Sequence, residues 1–155
     1  MVRLLKSFLA GLAGTLAQMG LSFLKMRLGV LPEFQPYDHF QRALRDVFGA
    51  TVSPSLAYAL TFVNGALIWG FIFARIYTRL PGRTWLRKGL FFALCAWAGS
   101  GIILLPFMGL GLFGLGAGLG VRPALFMAAG LTVYSCVMSF AYHALVGDGR
   151  EAPRP

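Results

Sequence analysis

Hydrophobic residues run in long blocks along the chain, and the polar ones gather between them. Four blocks, at about residues 7–28, 55–76, 89–110 and 123–146, are each long enough to cross a bilayer as helix, which takes about 20 mainly apolar residues. No Lys, Arg, Asp or Glu lies in the middle of any block. A single Lys or Arg there would cost roughly 2.5–3.5 kcal/mol on insertion scales, so the blocks read as spans. The expected fold class is all-α: an integral membrane four-helix bundle forming one domain over residues 1–155.

The segments between the blocks differ in kind. After the first, Phe40, Ala43, Leu44, Val47 and Phe48 repeat with helical period, while His39, Arg42, Arg45 and Asp46 fill the other face. Asp38 is placed to act as N-cap with Gln41 at the N3 position, and Gly49 is placed to end the helix. The pattern predicts a short amphipathic helix over 38–48, lying on the membrane surface or capping the bundle. Leu80-Pro81-Gly82-Arg83 reads as a turn, with Trp85 as an interfacial anchor. From Gly89 to Val121 no charge occurs, and Pro106 and six glycines between 109 and 120 fall within that stretch. The simpler expectation is a helix ended near Pro106 and then an external glycine-rich hairpin. The sharper one is a re-entrant segment lining a cavity.

Composition narrows the function classes. Hydrophobic residues make up 57% of the 155 and charged ones 12%, against about 25% charged in soluble domains. A soluble globule of this size lacks the interior volume to hide so much apolar surface. That excludes a soluble enzyme, a disordered tail and a conventional nucleic-acid binder. The net charge of +9 changes little, because the Lys and Arg residues sit beside the blocks, as positive-inside topology requires. Arg3, Lys6, Arg75, Arg79, Arg83, Arg87, Lys88, Arg150 and Arg154 fall on one side. Lys25, Arg27, Arg42, Arg45 and Arg122 fall on the other, partly offset by Glu33, Asp38 and Asp46. Both termini are therefore expected on the cytoplasmic side. Thr15-Leu16-Ala17 weakly imitates a signal-peptidase site, but the apolar run continues through Leu24, so the first helix is expected to stay uncleaved.

Candidate chemistry is sparse. Gly11, Thr15, Gln18, Ser22 and Lys25 recur at spacings of four and three on one face of the first span. Such a row is a helix–helix contact more often than a polar track for an ion or headgroup. Lys25, near the external end, is expected to extend its ammonium into the headgroups. Thr61 and Asn64 lie deep in the second span, and Asn64 is expected to face the bundle interior beside Gln18. The fourth span carries Thr132, Ser135, Ser139 and His143 on one side. The candidate polar interior is thus Thr15, Gln18, Ser22, Thr61, Asn64, Ser135, Ser139 and His143.

Catalytic, cofactor and metal residues are not expected. The two histidines, His39 and His143, fall on opposite sides of the membrane and cannot together ligate a haem within one chain. No carboxylate enters a span, which leaves a metal short of ligands. Cys95 and Cys136 lack Cys-x-x-Cys spacing. Gly109-x-Gly111-x-x-Gly114 matches a dinucleotide fingerprint by letters alone, since it ends a membrane helix rather than a strand.

Ala10-Gly11-Leu12-Ala13-Gly14-Thr15 leading to Met19, Lys25 and Gly29, then Leu31-Pro32-Glu33, form one group of motifs. Leu80-Pro81-Gly82, Lys88-Gly89-Leu90, Trp97 and the run Leu105-Pro106-Phe107-Met108-Gly109-Leu110-Gly111-Leu112-Phe113 form another. On these the chain resembles a family of small four-helix bacterial membrane proteins with no assigned function. The resemblance implies the topology and a multi-pass place in the bacterial inner membrane. It lends no residue a catalytic role.

The leading expectation is a non-enzymatic membrane protein, an accessory or structural subunit whose partners are the lipid bilayer and other membrane proteins or itself. One alternative is a small oligomeric transporter or channel with a polar track around Gln18 and Asn64. A second is a quinone-, haem- or lipid-binding module.

Overall fold

The computed structural model describes residues 2–34, 36–49 and 53–146. Arg150 and Arg154, used above for orientation, lie outside the described residues. The described residues are helical and contain no strand. Helix α1 spans Val2–Arg27, α2 Pro36–Phe48, α3 residues 54–76, α4 residues 85–107 and α5 Arg122–Val146. Of these, α1, α3, α4 and α5 are long and apolar enough to cross a membrane.

Local chemistry sets the helix ends. Ser53 caps α3 by accepting from the Leu56 N–H at 3.3 Å, and Pro54 follows in the first turn, where its missing N–H is harmless. Thr84 caps α4 by accepting from the Arg87 N–H at 3.4 Å. That cap starts α4 at Trp85, four residues before the apolar block at 89–110, and the helix ends at Phe107. Hydropathy missed the first turn because Leu86-Arg87-Lys88 mixes charge into it. Helix α2 likewise starts at Pro36, so Asp38 falls inside the first turn, where its charge suits the helix dipole, and does not cap it.

Two stretches depart from α geometry. Asn64–Trp69 in α3 and Ser100–Leu104 in α4 are π-helical. Such widened turns shift the backbone register and concentrate at functional sites. Pro106 cannot donate to the Ile102 carbonyl, and the widened turn of α4 lies in the residues just before it.

Packing gives an order rather than a ring. Helix α1 packs on α3 and on α5, and α5 packs on α4. Small residues bring these backbones close, as membrane helices require in the absence of a hydrophobic drive between them. A Cβ on Gly11 would collide with the Ala66 carbonyl oxygen, and one on Gly70 would stand 2.7 Å from the Ser7 carbonyl oxygen. A Cβ on Gly89 would stand 3.0 Å from the Ser135 carbonyl oxygen, which joins α4 to α5.

At the end near the α3–α4 turn, aromatic rings close the bundle. Phe73 meets Phe92 at 5.0 Å between centroids, Tyr77 at 5.4 Å and Tyr142 at 6.0 Å, all edge-on. Trp69 meets Phe92 at 5.7 Å. At the other end the glycine-rich segment after α4 folds back as a short 3-10 turn, Leu112–Ala117. Phe113 lies against Gly101 and meets Trp97 at 4.9 Å, so this hairpin leans along α4 instead of standing clear of it.

Beside it, α2 covers the bundle with Ala43 and Leu44 buried, while Val47, expected on the same apolar face, is exposed. His39 lies 6.0 Å from the Phe34 ring. Burial lowers its pKa from the usual 6.5, Arg42 adds to the effect, and Asp38 opposes it. The docked state therefore favours the neutral imidazole, and the undocked chain binds more protons just below pH 6.5. Hydrogen-exchange protection of α2 is expected to fall as pH drops from about 8 to about 5, and His39→Gln to flatten the dependence.

Candidate functional site: a cavity between two helices

From the aromatic cluster toward the α2 end, α3 and α4 diverge and leave a cavity of about 630 Å³. Its volume falls within the roughly 300–1,000 Å³ of small-molecule sites. Helix α1 forms the floor with Thr15, Gln18, Met19 and Ser22, α2 lays Phe40 and Leu44 over the end, and α5 contributes Phe126 to Tyr134. Both π-helical stretches reach it, through Asn64, Gly65, Ile68 and Trp69 of α3 and Ser100 and Leu104 of α4. Leu60, Val63, Asn64 and Ile68 remain exposed, so the cavity opens sideways on the flank that would face lipid.

The floor is polar for a reason already present in the α1 sequence. Residues spaced by three and four share a face. That face packs on α3 as far as Thr15 and then, where α3 leans away, borders empty space. Thr15 belongs to the packed part: its hydroxyl donates to the Gly11 carbonyl at 2.8 Å, and its Oγ1 sits 2.6 Å from where a Gly65 Cβ would stand. Gln18 lies over Gly130, where a Cβ would be 3.5 Å from the side-chain amide. The side chains of Gln18, Ser22 and Asn64 make no hydrogen bond to the described residues. Tyr134 donates to the Gly65 carbonyl at 2.6 Å and so braces the widened turn of α3 from across the bundle.

The candidate polar residues therefore divide. Thr15, Gln18, Ser22, Thr61 and Asn64 line one cavity. Ser135, Ser139 and His143 do not line it. Ser135 is fully buried, and its hydroxyl finds no partner among the described residues. Ser139 donates to the Trp85 carbonyl at 2.6 Å and serves as a tie between α4 and α5. His143, half-buried, lies a turn beyond Ser139 on α5, away from the cavity. The side shared by Ser135 and Ser139 is a contact with α4, which hydroxyl spacing cannot distinguish from a pore.

Two polar contributors stood outside the candidate set, Ser100 and Tyr134. A signal for the first existed: Asn64-Gly65 and Ser100-Gly101 each put a polar residue before a glycine inside a span, a pairing associated with irregular helix turns. Lys25 is the clearest correction. It does not extend into the headgroups but is 5% exposed, folded inward to donate to the Phe34 carbonyl. The loop after α1 turns back over it, and hydropathy has no means to show that.

No group of three or more His, Cys, Asp or Glu able to hold a metal occurs among the described residues. The family described as "Family of unknown function (DUF6789)" matches residues 1–151. The chain belongs to the DUF6789 family. No curated protein and no solved structure matches it. This DUF6789 protein presents a cavity with uncharged hydrogen-bonding groups on the α1 floor and at Thr61, Asn64 and Ser100, apolar and aromatic surface elsewhere, and an opening on the flank that would face lipid.

Proposed function

We propose that this protein is a non-enzymatic, multi-pass protein of the bacterial inner membrane, with both termini cytoplasmic, that holds one membrane-soluble amphiphile between α3 and α4. The observation that carries the reading is the cavity of about 630 Å³ whose Gln18, Ser22 and Asn64 side chains have no hydrogen-bond partner among the described residues. Amides and hydroxyls at membrane depth are costly unless they are hydrogen-bonded. A lipidic molecule entering from the side would pass Leu60, Val63, Asn64 and Ile68 at the opening and reach Gln18 and Ser22 on the floor. Transport through a single chain gains less support, since the cavity ends at the Phe73–Phe92–Trp69 cluster.

Asn64 also favours a second reading, an accessory subunit of a larger complex. Its exposed amide sits on the open flank, where a partner's helix could accept or donate. Native mass spectrometry of protein extracted gently from its own membrane separates the two. The amphiphile reading expects a small-molecule adduct on the wild type. It expects none on Gly130→Leu: Gly130 lines the cavity, a Cβ there meets only the Gln18 side chain at ordinary contact distance, and the rest of the leucine would take up space the ligand needs. An added polypeptide would favour the accessory subunit, and bare chain in both proteins would sink the amphiphile reading.

A further inference from the structure

A buried charge stands behind the cavity lining at one end, against Phe126. Lys25 is 5% exposed, yet its ammonium pairs with no carboxylate among the described residues. It donates one hydrogen bond, to the Phe34 carbonyl, and lies 5.2 Å from the centroid of the Phe126 ring and 5.8 Å from that of Phe34. An ammonium has three N–H donors, so two remain. The nearest acidic residues in sequence, Glu33 and Asp38, are both exposed. Ring faces and one carbonyl replace only part of the water that a buried cation loses.

The position of Lys25 gives this charge a use. It follows Ser22 by three residues on the same face of α1, and Ser22 lines the cavity. Phe126 lines the cavity as well, and its ring bears the ammonium on its face. The row Gln18, Ser22, Lys25 therefore runs from uncharged donors to a cation toward the α2 end. The opposite end, at Trp69, Leu131 and Tyr134, is predominantly apolar and aromatic.

Building on the amphiphile reading above, we propose that the ligand is a single-chain long-chain carboxylate. Its headgroup binds Lys25 and Ser22 beneath α2, and its alkyl chain lies between α3 and α4 toward Trp69. The lone cation matches one negative charge, and the apolar, aromatic opposite end suits an alkyl chain. Charge-assisted hydrogen bonds to the two unused N–H donors fix the orientation.

The test compares dibromostearate with the matching dibromo-octadecanol as quenchers of tryptophan fluorescence, in nanodiscs of zwitterionic lipid holding the full chain. Trp69 lines the cavity, and with Trp85 and Trp97 replaced by Phe in every protein compared, bromine on the chain reports occupancy there. Wild type is expected to bind the carboxylate about tenfold or more tightly than the alcohol. Lys25→Met should remove that preference, and Lys25→Arg should keep it. Equal affinity of wild type for the two ligands overturns the carboxylate assignment and leaves the amphiphile reading standing. Failure of both ligands to quench overturns the amphiphile reading itself. If Lys25→Met does not fold, the wild-type preference and its retention in Lys25→Arg still decide the matter.

Discussion

Gly11→Leu is expected to leave almost no folded protein. The Gly11 position faces the backbone of α3: even one carbon added there collides with the Ala66 carbonyl oxygen and comes within 3.0 Å of the Gly70 Cα. Backbone cannot rotate away as a side chain can, so α1 and α3 must separate along this stretch. Their separation would also break the contact of Thr15 with Gly65 just above it. Gly11→Ala should cost about 1–3 kcal/mol, the range for overpacking a close-packed site, and leucine distinctly more. The control lies on the same helix. Gly20 is exposed, with nothing within 4 Å of its would-be Cβ, so Gly20→Ala should be neutral or stabilising by up to about 1 kcal/mol through helix propensity. Thermal unfolding in mild detergent, followed by circular dichroism and gel filtration, reads both. A Gly11→Leu protein as stable as wild type would mean that α1 and α3 are not packed as described.

Phe73→Ala should be the most damaging single truncation. Phe73 is fully buried and touches Phe92, Tyr77 and Tyr142, so it joins α3 to both α4 and α5. In a water-soluble core Phe→Ala costs about 3–5 kcal/mol, part of it the transfer of the ring from water and part the cavity left behind. Inside a membrane the transfer part largely vanishes, since lipid solvates the ring as well as protein does. The lost packing and edge-on ring contacts remain, and a loss of about 2–3 kcal/mol follows. Because these rings are where α3 and α4 meet, the variant should also loosen the closed end of the cavity. Unfolding by denaturing detergent measures the first effect, and accessibility of a cysteine placed at Ile76 to a thiol reagent measures the second. A loss under about 0.5 kcal/mol, the size of an ordinary surface change, would remove the cluster's role as the clamp.

The fold was largely legible from the chain. Length and continuity of the apolar blocks are one-dimensional properties, and the bilayer converts them into spans without help from tertiary contacts. The helical period of α2 was readable for the same reason. Boundaries were less so: Thr84 and Ser53 cap through a side chain to a backbone N–H, a local event that hydropathy does not register.

The polar stripe on α1 was also readable as a stripe, and here the sequence reached its limit. Spacing shows which residues share a face but not what stands opposite. Tertiary structure decided that Gly11 and Thr15 meet the backbone of α3, that Gln18 and Ser22 meet open space, and that Lys25 is covered by a returning loop. It likewise sent Ser135 and Ser139 to the contact with α4, although their spacing on α5 resembles that on α1. The physical reason is the divergence of α3 from α4. Two π-helical turns redirect the helices, and an aromatic clamp holds them together at one end only. Such a departure depends on which helices are neighbours. The sequence determined that there are four spans and which faces are polar; only their packing decided which of those faces encloses a cavity.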